Sequence, residues 1–125
     1  MNAQLALQSY GSVKVDAAVQ GANAHRLTLM LFDGFLERIA QAKGAIQQND
    51  IELRGKKINA AVSILLGLRN ALNLEQGGEL AENLDSLYDY VQRTLSQAHI
   101  KASEELLDEC GRLMAQVASS WREIG

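Results

Sequence analysis

The sequence has no proline in 125 residues and one cysteine, Cys110. Without proline, the residue that most strongly breaks helices is missing. A lone thiol cannot form an intrachain disulfide, and it fits a reducing compartment. Aromatic residues make up only 5% of the chain. Basic residues do not dominate either: 12 Lys and Arg stand against 15 Asp and Glu, for a net charge of −3. No basic stripe with interleaved aromatics is present, so no nucleic-acid partner is expected, because phosphate contacts need clustered Lys and Arg. The densest apolar stretch, "AAVSILLGL" from Ala60 to Leu68, contains a serine and falls short of the roughly 20 residues a membrane span needs. The first residues, "MNAQLALQSYGSVKV", have no basic n-region and no long apolar h-region, so no secretion signal and no membrane insertion are expected. These absences together point to a soluble, cytoplasmic protein.

What remains is 47% hydrophobic and 22% charged, rich in Ala, Leu, Gln and Glu, and long enough for one core. Apolar periodicity predicts four helices, at about residues 24–48, 51–72, 79–100 and 104–124. Asn23 is a candidate N-cap for the first, and "QQND" supplies a turn with Asp50 as cap for the second. "NLEQGG" separates the second from the third, and a short break near Lys101–Ser103 precedes the fourth. Connections this short make neighbours run antiparallel, so the expected fold is all-α, an up-down four-helix bundle over residues 23–125.

Residues 1–22 form a leader of different character. Lys14 and Asp16 are its only charges, and Leu5, Leu7, Tyr10, Val13 and Val15 are apolar. The alternation Val13-Lys14-Val15-Asp16 has a period of two rather than a helical one. Two readings stay open: a disordered tail, or a segment that docks on the bundle as a lid, since a purely solvated tail would carry more charge.

The predicted helices differ in how much they must hide. The third gathers Leu80, Leu84, Leu87, Tyr88, Tyr90, Val91 and Leu95 on one side, and the fourth gathers Leu106, Leu107, Cys110, Leu113, Met114, Val117, Trp121 and Ile124. Cys110 reads there as small core filler rather than a reactive thiol. In the first helix Leu27 and Leu31 lie nearly opposite Leu29, Leu36 and Ala40, with Phe32, Phe35 and Ile39 between. Its apolar arc approaches about 220°, well beyond an ordinary core-facing stripe. The second is similarly wide around Val62, Ile64, Leu65, Leu66, Leu68 and Leu72. A central helix touching three neighbours, a dimer interface, or a groove for a partner's apolar segment would each account for the excess.

Chemistry finds little support. A di-iron bundle uses inward Glu-x-x-His pairs, but Ala22 and Ser96 stand three residues before His25 and His99. Both histidines are expected to face solvent. No zinc spacing, phosphate loop or nucleophile elbow is found, so no enzyme, metal or cofactor is expected.

Several stretches together resemble a known family. "AHRLTLMLFDGFLERIAQAKGAI" is similar to the opening helix of the flagellar secretion chaperone FliS family, and "GKKINAAVSILLGLRNALNLEQGGELAENLDSLYDYVQRTL" to its most recognisable block. "GGELAENLDSLYDY" is the most specific part, and the leader segment "LQSYGSV" around Tyr10 resembles the family's own leader. The resemblance implies a cytoplasmic bundle that binds the disordered C-terminal segment of flagellin, keeps it from polymerising early, and hands it to the export gate of the flagellar type III apparatus. It also implies a leader that covers the binding groove, and for some members an anti-sigma factor as a further partner. In this light Leu29, Phe32, Leu36, Ile64, Leu68 and Tyr88 are the candidate partner-binding residues, with Tyr90 an alternative to Tyr88 at the groove's edge. Leu5, Leu7, Tyr10 and Val13 are the candidate lid, while Leu27, Leu31 and Phe35 build the bundle. The alternatives are a structural homo-oligomer, such as a homodimer, and an adaptor module without a chaperone role.

Overall fold

The computed structural model of the chain describes residues 22–72 and 77–124. The described residues form four helices: α1 Ala22–Gln47, α2 Ile51–Asn70, α3 Gly78–Lys101 and α4 Glu104–Ile124. At 1.5 Å per residue they are roughly 30–39 Å long. The start of α1 overlies the end of α4 through His25 and Trp121, while Lys43 and Gln47 near its finish reach Asp108 at 2.6 Å and Glu104 at 2.9 Å near the start of α4. Arg54 meets His99 and Arg69 meets Asp85, so α2 and α3 are antiparallel too. Each helix packs against its sequence neighbour and α4 closes against α1, an antiparallel four-helix bundle.

The connections are built by local chemistry. After α1, Asn49 adopts a left-handed φ of 57°, and the Asp50 N–H donates to the Ala45 carbonyl at 2.9 Å. This is a Schellman-type ending, and asparagine tolerates it better than most residues. Asp50 then caps α2 by accepting from the Leu53 N–H at 3.0 Å. The α3–α4 turn repeats the pattern, with Ala102 at φ 49° and Ser103 N–H donating to Ala98 at 3.0 Å. Ser103 in turn caps α4 through the Leu106 N–H at 3.1 Å. Both tight turns lie at one end of the bundle. The opposite end holds the start of α1, the longer connection from α2 to α3, and the finish of α4.

The core runs the length of the ring. Leu31, Phe32 and Phe35 from α1, Leu65 from α2, Val91 and Leu95 from α3, and Leu107, Cys110 and Met114 from α4 are its largest fully enclosed side chains. Each contributes about 1.5–3 kcal/mol relative to exposure. Leu27 is buried beside them.

Two expectations change, and one of three open readings narrows. α1 begins at Ala22, so Asn23 lies inside the helix and is not its cap. Among the described residues, the broad apolar face of α1 packs against α2 and α4, and no third helix touches it. The histidines do not simply face solvent: both are half-buried and bonded across helices. His99 can approach α2 because residue 55 is glycine; a Cβ there would sit 3.3 Å from the imidazole Cε1.

Candidate partner-binding site

At the end bearing the start of α1 and the finish of α4, the four helices do not close on one another. A cavity of about 270 Å³ remains, lined by Thr28 and Phe32 of α1, Leu68 of α2, Leu80, Leu84 and Tyr88 of α3, and Val117 and Trp121 of α4. Ala71, Leu72, Gly77 and Ala81 complete the lining. Where α3 begins, Gly77 lines the opening without a side chain. Gly78 sits at φ +59°, a conformation glycine adopts freely.

The surface of the cavity is mostly apolar, and two of its polar groups are already engaged. The Thr28 hydroxyl donates to the Ala24 carbonyl at 3.1 Å, within its own helix. The Trp121 indole N–H donates to the His25 carbonyl at 3.1 Å. Burial pushes the Tyr88 phenol up to about 12, so it stays neutral at any physiological pH. Charges stand outside. Arg69 forks onto Asp85 at 2.6 and 3.3 Å and reaches Asp89 at 3.4 Å, and Asp89 also accepts from Arg93 at 3.0 Å. The hydrogen bond from Arg93 is the main cause that holds the Asp89 carboxyl below its ordinary range.

Such a site has the lining to hold an apolar side chain. Its volume lies just below the roughly 300–1,000 Å³ typical of small-molecule pockets. Leu80 at its rim is 66% exposed.

The candidate residues fall into separate groups. Phe32, Leu68 and Tyr88 come together as buried walls of this cavity. Leu36 is half-buried and lines a different groove, of about 580 Å³, between the later part of α1 and the early part of α4. That groove has small residues (Ala40, Gly44, Gly111, Ala115) and is crossed by the Lys43–Asp108 ion pair. Ile64 is buried in the core, and Leu29 is half-buried on α1. Tyr90 lies elsewhere, its hydroxyl bonded to Glu109 at 2.6 Å. Leu5, Leu7, Tyr10 and Val13 lie outside the described residues.

Sequence reasoning missed Leu80, Leu84, Val117 and Trp121 as members of the site. Their helices had an ordinary apolar stripe and therefore no visible surplus. The available signal was the glycine pair beside Leu80, a place where four stripes converge with volume missing.

Among the described residues, no helix is long and apolar enough to cross a membrane, and no three His, Cys, Asp or Glu residues gather where a metal could sit. Comparison with known proteins places this chain in a family. Residues 6–125 match the family described as flagellar protein FliS. The chain is 45% identical over 124 residues to the flagellar secretion chaperone FliSB of Pseudomonas aeruginosa, covering 99% of this chain and 98% of that one. It is 36% identical to the flagellar secretion chaperone FliS of Vibrio cholerae, covering 94% and 87% of the two chains. With its Salmonella typhimurium counterpart the identity is 35%, over 94% and 88%. The chain therefore belongs to the FliS family of flagellar secretion chaperones.

Proposed function

We propose that this protein binds the disordered C-terminal segment of flagellin in the cytoplasm, prevents its premature polymerisation, and delivers it to the flagellar type III export apparatus. The observation that carries the reading is the apolar cavity walled by Phe32, Leu68, Tyr88, Leu84, Val117 and Trp121 in a chain of this family. A segment that is buried only in the finished filament exposes apolar side chains beforehand. A chaperone for it needs a preformed apolar receptor and no chemistry.

The magnitudes are compatible. Burying three or four apolar anchors contributes about 1.5–3 kcal/mol each. Ordering a disordered partner costs on the order of 2–5 kcal/mol or more. A single cavity does not suffice, so the segment reaches further sites, for which Leu29 and the Leu36 groove are available. Ile64 then supports the wall from within the core. Residues 1–22 act as an intramolecular lid over the cavity in the free protein, through Leu5, Leu7, Tyr10 and Val13. The helical unit of residues 23–125 is the receptor.

The test is copurification of the protein with full-length flagellin and with flagellin lacking its C-terminal segment. Capture of the first and loss of the second supports the assignment. Equal capture of both, or of neither, sinks it.

A further inference from the structure

The start of α1 and the finish of α4 are joined by more than apolar packing. The His25 imidazole stacks on the Trp121 indole with centroids 5.0 Å apart and planes 12° from parallel. Its Nε2 lies 2.6 Å from the Trp121 carbonyl, and the indole Nε1 donates to the His25 carbonyl at 3.1 Å. Two residues 96 positions apart thus exchange two hydrogen bonds and share a ring face.

Each contact has a separate effect. Trp121 lies in the last turn of α4, which ends at Ile124. A carbonyl only accepts, so Nε2 carries the proton and ties the imidazole to the last turn of α4 from across the bundle. The indole N–H donates to the main-chain carbonyl of residue 25, which takes the only polar atom of that side chain out of the cavity and does not depend on the side chain at that position. The stack closes one face of the indole. Trp121 lines the cavity, whereas His25 does not.

We infer that His25 is a positioning residue for partner capture: it holds Trp121 in the orientation that makes an apolar wall of the cavity. The inference rests on the cavity being the receptor for the flagellin segment. It adds that the receptor is set by a polar clasp outside it, so the wall can be disturbed without altering any residue that a partner touches.

The experiment compares the wild-type full chain with His25→Ala and His25→Phe. Trp121 is the only tryptophan, so its fluorescence reports this position alone. In the free proteins, acrylamide quenching of Trp121 rises in His25→Ala and stays near wild type in His25→Phe, which keeps the stack. In titrations with a peptide carrying the C-terminal segment of flagellin, His25→Ala weakens binding about tenfold, the worth of an aromatic pair and a hydrogen bond together. His25→Phe, which lacks only the hydrogen bond, recovers to within about threefold of wild type. Circular dichroism verifies that each variant is folded at the measuring temperature; if His25→Ala is not, His25→Phe decides, with unchanged affinity and quenching supporting the stack as the holding element and a loss as large as tenfold overturning it. Unchanged quenching and affinity in folded His25→Ala overturn the inference. If the wild type does not bind the peptide, the flagellin reading fails and the quenching comparison still judges the clasp: a rise in His25→Ala supports it, and no change overturns it.

Discussion

Leu29 and Phe32 are three positions apart on α1 and carry different duties. Phe32 is 1% exposed and belongs to the core as well as to the cavity wall. Truncating it costs about 3–5 kcal/mol of fold stability, so a loss of partner binding in Phe32→Ala is ambiguous. Leu29 is half-buried, and a charge there meets water on one side. Leu29→Asp is expected to abolish flagellin capture in a pull-down while the helical circular dichroism is retained; unfolding instead would assign Leu29 to the core. Cys110 shows the opposite extreme. Burial pushes its thiol from 9.0 up to about 12, and burial pushes the Tyr88 phenol from 10.0 up to about 12. Both folded values lie above the unfolded ones, so the stability they reflect is complete below about pH 9 and lost as pH rises through about 12. Urea midpoints should therefore hold steady from neutral to about pH 9 and fall above it. A thiol reagent should leave Cys110 unlabelled at neutral pH until the protein is denatured, and stoichiometric labelling of the folded chain would contradict this.

At the scale of elements, the most exposed weakness is a turn. Ala102 holds a left-handed φ of 49°, where its Cβ approaches the following carbonyl. Glycine carries no such penalty, though it loses more entropy on folding. Ala102→Gly is thus expected to stabilise the protein by about 0.5–1 kcal/mol, read as a raised thermal midpoint. A lowered midpoint would show that the entropy of glycine outweighs the relief. Such elements also show how far the sequence could be read. Four helices, their order and the Asp50 cap followed from periodicity and one Asx residue, because these depend on neighbours in the chain. Asn23 misled, since cap chemistry at that position competes with Ala22, a good helix former that extends α1 past it. The clasp of His25 to Trp121 was illegible, because nothing local relates residues 96 apart. The wide face of α1 was legible as a surplus, but its division between core and cavity depends on where α2 and α4 stop.

At the scale of the molecule, the proposed function sets a lid and a partner in competition for one cavity. A lid that must leave before the partner enters lowers the apparent affinity by its own docking equilibrium. Deleting residues 1–15 should tighten flagellin binding in calorimetry, or promote self-association through the uncovered apolar surface. An unchanged or weaker affinity in a deletion that stays monomeric removes the simple lid. The bundle's two ends are unlike: one is drawn tight by the turns around Asn49 and Ala102, and the other holds the cavity together with the finish of α4. A flagellin segment grafted after α4 on a short flexible tether would begin beside its receptor, at an effective concentration of about millimolar. Capture would then no longer depend on dilution, and such a fusion would report on the receptor as a single, self-occupied chain.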